Sequence, residues 1–431
     1  MSRRALYSVL FLFAGAAQAQ LHIVVTGTGS GATPLAVVPF GVEAGAAGDP
    51  EVRRIVVADL ERTGRFRVVD EAALPQRPQR AADIRFELWR GGEAGHLVIG
   101  RFLPAAAGRS ALGVQVFDVY TGRQLAGQRL EVPEGRWRAL AHAAADVIYE
   151  ALTGEPGAFS TRIAYIVVVG EGRDREWRLE VADADGADPR ILLRSKRPIL
   201  SPAFAPDGRR LAYVSFENDR SEIYLQWIYE GRRERIAAHE GINGAPAFAP
   251  DGRRLAYAAS HEGNSELYLL DLDTGRSERL TRDSAIDTEP SWFPDGRSLA
   301  FASGRAGGAQ VYRLDLADRR VRRLTFEGTY NASPDVSPDG RTLVFVHGEG
   351  GAFRIAALDL ASGTMRRLTD GRLDESPSFA PNGAMVLYAT QAEGRGVLAA
   401  AALHGGARQR LAVREGQVRE PAWGPLNRPA R

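Results

Sequence analysis

Apolar and polar positions alternate in short runs through the second half of the chain, and each run is fenced by turn-forming residues. Alternation with a period of two between such fences predicts half-buried strands, not helices. The runs also repeat. The octet Ser201–Gly208 (SPAFAPDG) returns as Ala245–Gly252, Glu289–Gly296 and Ser333–Gly340, and again as Ser376–Gly383 with Asn382 in place of aspartate. A truncated copy, Glu420–Pro425, ends the series. The turn residues Asp207, Asp251, Asp295, Asp339 and Asn382 are spaced by 44, 44, 44 and 43 positions. Each period carries four short strands. The octet ends in a tight turn, a stretch such as Leu211–Val214 follows, a third run holds Ile223–Tyr224 or its counterparts, and a fourth ends on Ile236, Leu280, Leu324 or Leu368. Four strands per period of this length are the signature of a propeller blade.

The ends of the series complement each other. Arg162–Val169 reads like the second strand of a blade with no octet before it, while Glu420–Pro425 is an octet fragment with nothing after it. Joining them makes a sixth blade and removes two free sheet edges that would otherwise invite aggregation. An open solenoid would leave both halves unpaired. The repeated aromatics Tyr165, Tyr213, Tyr257, Phe301, Phe345 and Tyr388 are expected in the core between blades.

Residues 33–152 lack this period. Leu35–Phe40 has a buried-strand pattern. Asp49 and Pro50 then open a helix in which Val52, Ile55, Val56 and Leu60 share one face and which Gly64 stops. Strands are expected over 65–70, 95–103, 112–119 and 124–132, with Thr121–Gly122 as a hairpin turn. A second helix is expected from about 135 to 152, with Trp137, Leu140, Ala144, Val147 and Ile148 inward. At the start, Arg3 and Arg4 precede an apolar run, and Ala17-Gln18-Ala19 is a small-residue cleavage pattern. These mark a secretory leader, since the run is too short to span a bilayer of about 20 residues. The expected whole is an α+β multidomain chain: leader 1–19, mobile arm 20–32, small α/β domain 33–152, linker 153–161, six-bladed β-propeller 162–425 closed by the C-terminal strand, and tail 426–431.

Composition narrows the function classes. A chain of 431 residues exceeds one hydrophobic core, and 44% apolar with 25% charged residues is a globular balance. Basic and acidic residues number 55 and 53 and are interleaved, which gives no basic face for nucleic acid or anionic lipid. Cysteine is absent, so disulfides, thiolate metal sites and a lipid-anchored cysteine are excluded. Gly27–Ala32 matches a dinucleotide fingerprint on paper, but Thr33-Pro34 and a strand follow where a helix would be needed. Histidines 22, 96, 142, 239, 261, 347 and 404 show no metal-binding spacing, and no nucleophile elbow is present. Asp183–Asp188 resembles the start of a calcium loop, lacks the distal glutamate, and aligns with a hairpin turn of another blade. No catalytic residue, metal or cofactor is expected. What remains is a surface: Leu200-Ser201, Gly244-Ala245, Thr288-Glu289, Ala332-Ser333, Glu375-Ser376 and Arg419-Glu420 enter the innermost strands and should ring one mouth of the channel, with Asn243, Asp287, Asn331 and Asp374 one step out.

Taken together, the leader, the α/β domain and the repeats resemble the TolB family of the Tol–Pal system of Gram-negative bacteria. The specific stretches are Ile23–Val25, Val37–Phe40, Leu152–Gly154, Arg162–Tyr165, Asn243–Phe248, Thr288–Asp295, Asp374-Glu375 and Gly416–Val418. The resemblance implies a non-enzymatic, monomeric periplasmic scaffold supporting outer-membrane integrity and envelope constriction in cell division. It implies docking of the lipoprotein Pal on the mouth through Leu200, Ser201, Asn243, Ala245, Thr288, Glu289, Asn331 and Glu375. It also implies engagement of TolA by the arm through Gln20, Leu21, His22, Ile23, Val24 and Val25. Two departures stand out: Ile242 replaces a histidine common in relatives, and the arm is unusually glycine-rich. The competing reading is a lactonase-like periplasmic hydrolase, which needs several buried carboxylates and asparagines on the channel floor, where Glu289 and Glu420 are only rim candidates.

Overall fold

A computed structural model describes residues 24–26, 31–404, 406–411 and 415–426. The expected leader, Gln20 to Ile23 of the arm, and the glycine hinge at 27–30 lie outside the described residues. In the first domain Thr33–Val37 runs parallel to Phe66–Val68 on one side and to His96–Leu103 on the other. Arg109–Asp118 and Gln124–Pro133 add antiparallel strands, completing a mixed sheet. Helix α1 (Glu51–Arg62) starts where Asp49 Oδ1 accepts from the Glu51 N–H at 2.9 Å, and stops at Gly64, whose φ of +69° suits glycine. A one-turn helix, α2 (Phe86–Trp89), and the longer α3 (Trp137–Thr153) follow.

One sheet face packs Leu35, Val98, Leu112 and Val114 against Val52, Val56 and Leu60 of α1 and Leu140, Ala144 and Ile148 of α3. Each fully buried aliphatic side chain there contributes roughly 1.5–3 kcal/mol. The sequence pattern did not reveal what covers the other face. Residues 71–94 contain Pro75 and Pro78 and no regular period, yet they fold as short turns that place Leu74, Trp89 and Ala94 over Leu97, Ile99 and Phe117. The segment expected as a linker is well anchored: Phe159 is buried among Tyr149 and its neighbours, and the Phe159 and Ser160 N–H groups donate to the Asp146 carboxylate.

The second domain is a six-bladed propeller. Blades 2 to 5 each take four consecutive strands, beginning at Ile199, Asn243, Asp287 and Tyr330. In blade 1 the C-terminal strand Gln417–Trp423 pairs antiparallel with Arg162–Val169, from Gln417 opposite Val168 to Trp423 opposite Ile163. The ring is closed by the two half-repeats. The aromatics Tyr165, Tyr213, Tyr257, Phe301 and Phe345 are fully buried between blades, as expected. The Pro-Asp-Gly turns explain themselves: Asp207 Oδ1 accepts from Arg209 N and Arg210 N, and its other oxygen from Arg210 Nε. Arg210 and Arg254 then reach one blade onward, donating to the Gly252 and Gly296 carbonyls at 3.0 and 3.2 Å. Among the described residues no helix is long and apolar enough to cross a membrane.

Blade 6 carries a fifth strand. Val24–Thr26 lies antiparallel to its outermost strand, with Val24, Val25 and Thr26 opposite Arg410, Gln409 and Arg408. The sequence marks this stretch only as part of a mobile arm. The propeller supplies the partner.

Candidate protein-docking mouth

Each innermost strand contains one bulge at the same place. The register with the neighbouring strand breaks between Leu200 and Ala203, and likewise at Gly244/Ala247, Thr288/Ser291, Ala332/Asp335, Glu375/Ser378 and Arg419/Ala422. At the centre of every bulge a non-glycine residue precedes proline with positive φ: Ser201 (50°), Ala245 (47°), Glu289 (55°), Ser333 (49°), Ser376 (52°) and Glu420 (48°). Such backbone costs of the order of 1–3 kcal/mol per residue, and it persists only where its surroundings enforce it. Six copies of the same strained turn, one per blade, aim six side chains at the axis.

They converge on a cavity of about 840 Å³ that runs along the innermost strands, from Tyr330, Phe353 and Leu373 at the mouth to Pro250 of one Pro-Asp-Gly turn. Its lining includes Leu200, Ser201, Ala245, Glu289, Glu375 and Glu420. The two glutamates in strained positions stand on blades 4 and 1, three steps apart and hence across the channel. Glu289 accepts from Ser333 N at 2.7 Å and Ser333 Oγ at 2.9 Å, and Glu420 accepts from Ser201 N and Oγ. Each therefore clamps the bulge of the next blade. Deeper in, Asp335 accepts from Ser291 Oγ at 3.1 Å and Phe379 N at 2.8 Å. Confinement away from water pushes the Asp335 carboxyl up to about 6, against these hydrogen bonds. The same cause, opposed by the Ser201 N–H and reinforced by the Glu375 charge, pushes Glu420 up to about 7.

Two residues expected to face this mouth do not. Asn243 and Asn331 are fully buried, as are their counterparts Asp287 and Asp374. Asn243 Nδ2 donates to the carbonyls of Ser221 and His239, and Asn331 Nδ2 to Gln310 Oε1 and the Glu327 carbonyl. The strand alternation ahead of each bulge turns these side chains into the blade, where they staple loops. The rim expectation is corrected on this point. Thr288 is half-buried and not part of the cavity lining, whereas Leu200, Ser201, Ala245, Glu289 and Glu375 are.

The rim proper was missed by the sequence reading. One position before the buried Asn or Asp, four consecutive blades present Ile242, Ile286, Tyr330 and Leu373, exposed by 55, 60, 40 and 46%. The same position in blades 2 and 1 holds Pro198 and Gln417. Phe353 stacks edge-on against Tyr330 with ring centres 5.3 Å apart and bridges to Leu373. The result is an apolar crescent on one side of an acidic opening. Beneath Ile242, His239 and His261 stack with ring centres 4.2 Å apart, and Tyr257 Oη meets His239 Nε2 at 3.2 Å. Burial, with His261 alongside, holds the His239 pKa below its ordinary value. A repeat-by-repeat comparison of the position before the Asn/Asp would have revealed the crescent; the histidine stack has no sequence signal.

Asp183–Asp188 is a hairpin turn, with Asp185 Oδ1 accepting from Ala187 N. Thr33–Val37 after the glycine hinge is a strand, so no helix N-terminus is available there for a dinucleotide.

Comparison with known proteins agrees with both domains. The profile of the TolB amino-terminal domain matches residues 21–125, and that of the TolB beta propeller domain matches residues 149–427. Tol-Pal system protein TolB of Thioalkalivibrio sulfidiphilus is 58% identical over 425 residues, spanning 98% of each chain. That of Nitrosococcus oceani is 57% identical over 408 residues, spanning 94% of each. The crystal structure of TolB from Acinetobacter baumannii superposes with a TM-score of 0.87 at 41% identity, covering 94% of this chain and all of that one.

Proposed function

Because the chain belongs to the TolB family of Tol–Pal system proteins, we propose that it is a non-enzymatic periplasmic scaffold that docks the lipoprotein Pal on the propeller mouth and engages TolA through its N-terminal arm. In this role it supports outer-membrane integrity and envelope constriction during division. The observation that carries the reading is the apolar crescent of Ile242, Ile286, Tyr330 and Leu373 beside the channel. Exposed apolar residues recurring along one rim of a rigid ring suit a protein-binding surface, since a partner that covers them removes apolar area from water. The channel carboxylates Glu289, Glu420 and Asp335 are committed as acceptors for the neighbouring blades, which suits a fixed opening better than hydrolytic chemistry.

The arm reading rests on the pairing of Val24–Thr26 with the edge of blade 6. Three residue pairs are a small hold, so a competing sheet edge of TolA can take the same strand through main-chain hydrogen bonds. Isothermal titration with the soluble domains of Pal and TolA tests both halves. Ile286→Glu with Leu373→Glu should weaken Pal binding about tenfold or more, as loss of two apolar anchors implies, while Tyr229→Glu on the turn end leaves it unchanged. Removal of residues 20–31 should abolish TolA binding in a folded protein. Wild-type affinities in these variants would refute the corresponding half.

A further inference from the structure

Three carboxylates, two guanidinium groups and one imidazole gather where α1 and α3 meet the hairpin turn of blade 1. Buried Asp59 on α1 accepts from His142 Nδ1 at 2.6 Å and pairs with Arg62 Nη2 at 3.2 Å. On the other side of the imidazole, His142 Nε2 stands 3.8 Å from Asp183 Oδ2 and 4.0 Å from Asp185 Oδ2, both across the domain boundary. Arg138, one turn earlier on α3, donates to both of these carboxylates and has Nη2 3.3 Å from His142 Nε2. Arg138 thus already supplies a cation between Asp183 and Asp185, so the group does not read as a metal site.

The protonation state of His142 decides how the cluster balances. With a neutral imidazole, Nε2 accepts from Arg138, and three carboxylates face two guanidinium charges. With an imidazolium, Nε2–H faces Asp183 and Asp185, and the three carboxylates around the ring meet three positive charges. Asp146, one turn on along α3 and repelled by Asp59, is held by the Phe159 and Ser160 N–H groups and kept above its ordinary pKa by burial. Uncompensated charge in a buried seam is costly, so the balanced state is favoured. We propose that His142 is a proton-dependent clasp between the two domains: charged, it ties α1 to the blade 1 hairpin, and neutral, it leaves that tie to Arg138 alone. Burial opposes the charge, but Asp59 and then Asp185 outweigh it and the repulsion of Arg62, holding the His142 pKa above its ordinary value. A group raised in the folded state stabilises fully below its unfolded pKa near 6.5, and the contribution is lost as pH rises through the raised value. The clasp is therefore shut at pH below the ordinary imidazole value and loosens as pH rises through the raised one. The same seam packs Gly64, at the end of α1, against Ala407, the residue before the strand that holds Val24–Thr26, so the clasp also braces the ledge under the arm.

Hydrogen exchange on the full-length protein at pH 6 and 9, corrected for intrinsic rates, tests this, together with the NMR titration of the His142 ring. Protection of residues 183–188 and α3 should fall about tenfold for each pH unit between the ordinary imidazole value near 6.5 and the raised His142 pKa, and level off above it, and His142→Gln should remove that pH dependence. Equal wild-type protection at both pH values, or a His142 midpoint below 6.5, would overturn the proposal. Should His142→Gln fail to fold, Asp185→Asn decides from the propeller side: it should lower the His142 midpoint, and an unmoved midpoint also overturns the clasp.

Discussion

A carboxyl group that gives up water without gaining a cation holds its proton longer, and two residues of the channel do so. Asp335 at about 6 and Glu420 at about 7 both lie above their ordinary values because of confinement. For such groups the folded state binds more protons than the unfolded one, so stability falls as pH rises from the ordinary carboxyl range through these values. Glu420→Gln should remove part of this dependence, because an amide oxygen can still accept from Ser201 N without carrying charge. Its melting temperature should exceed that of the wild type at pH 8 and match it at pH 4.5, as followed by circular dichroism. A wild-type pH profile in this variant would count against the burial of an ionised Glu420. At this scale the sequence was informative about position and silent about conformation. The ring residues stand at a fixed offset before each proline, but nothing in Ser, Ala or Glu announces a φ near +50°. The inward turn of Asn243 and Asn331 follows from that bulge, so it was equally hidden.

Among the elements, strands fenced by Pro-Asp-Gly turns were legible because turn chemistry and alternation agree there. The α1 and α3 helices were legible from their 3.6-residue periodicity. Residues 71–94 were not, because short turns covering a sheet face have no period to detect. The partner of Val24–Thr26 was also hidden, since an edge strand carries no mark of which edge it joins. The closing strand could be inferred only because a half-repeat at each end implied the other. Removing Glu420–Arg431 takes away most of that strand, including the Ala422 and Trp423 pairs with Ala164 and Ile163. It should abolish the single cooperative melt of the propeller and increase exchange along Arg162–Val169. A truncated protein melting as the wild type does would mean that the ring tolerates an open edge.

Across the whole molecule, the α/β domain sits at the turn end of blades 1 and 6 and the mouth opens at the other end. One substitution within the repeat reflects this placement. Where four blades have aspartate in the turn, blade 6 has Asn382, whose Nδ2 donates to the Pro156 carbonyl at 3.0 Å across the seam. Aspartate there would turn a donor into a charge facing a carbonyl. Asn382→Asp should therefore cost about 1–3 kcal/mol, the usual price of an unmatched buried polar contact, seen in calorimetry as earlier release of the α/β domain. Asp207→Asn, in a turn remote from the seam, should cost less. A smaller loss at Asn382 than at Asp207 would show that the seam does not select the residue. The strand Gln417–Trp423 spans both ends, with Glu420 at the mouth and Trp423 Nε1 donating to Thr161 Oγ1 at 2.8 Å in the seam.

That strand is also the last of the propeller's described strands to be made. A polypeptide delivered amino end first, from a ribosome or through a membrane pore, can fold its α/β domain and stack blades 2 to 6 while blade 1 still waits for its innermost strand. Until Gln417–Trp423 arrives, Arg162–Val169 offers an unpaired edge and the bulge at Ser201 lacks the carboxylate that clamps it. Closure of the ring thus reports that synthesis has passed Trp423. A chain cut short before Gln417 keeps that edge open, and an unpaired strand edge of this kind invites pairing with other chains.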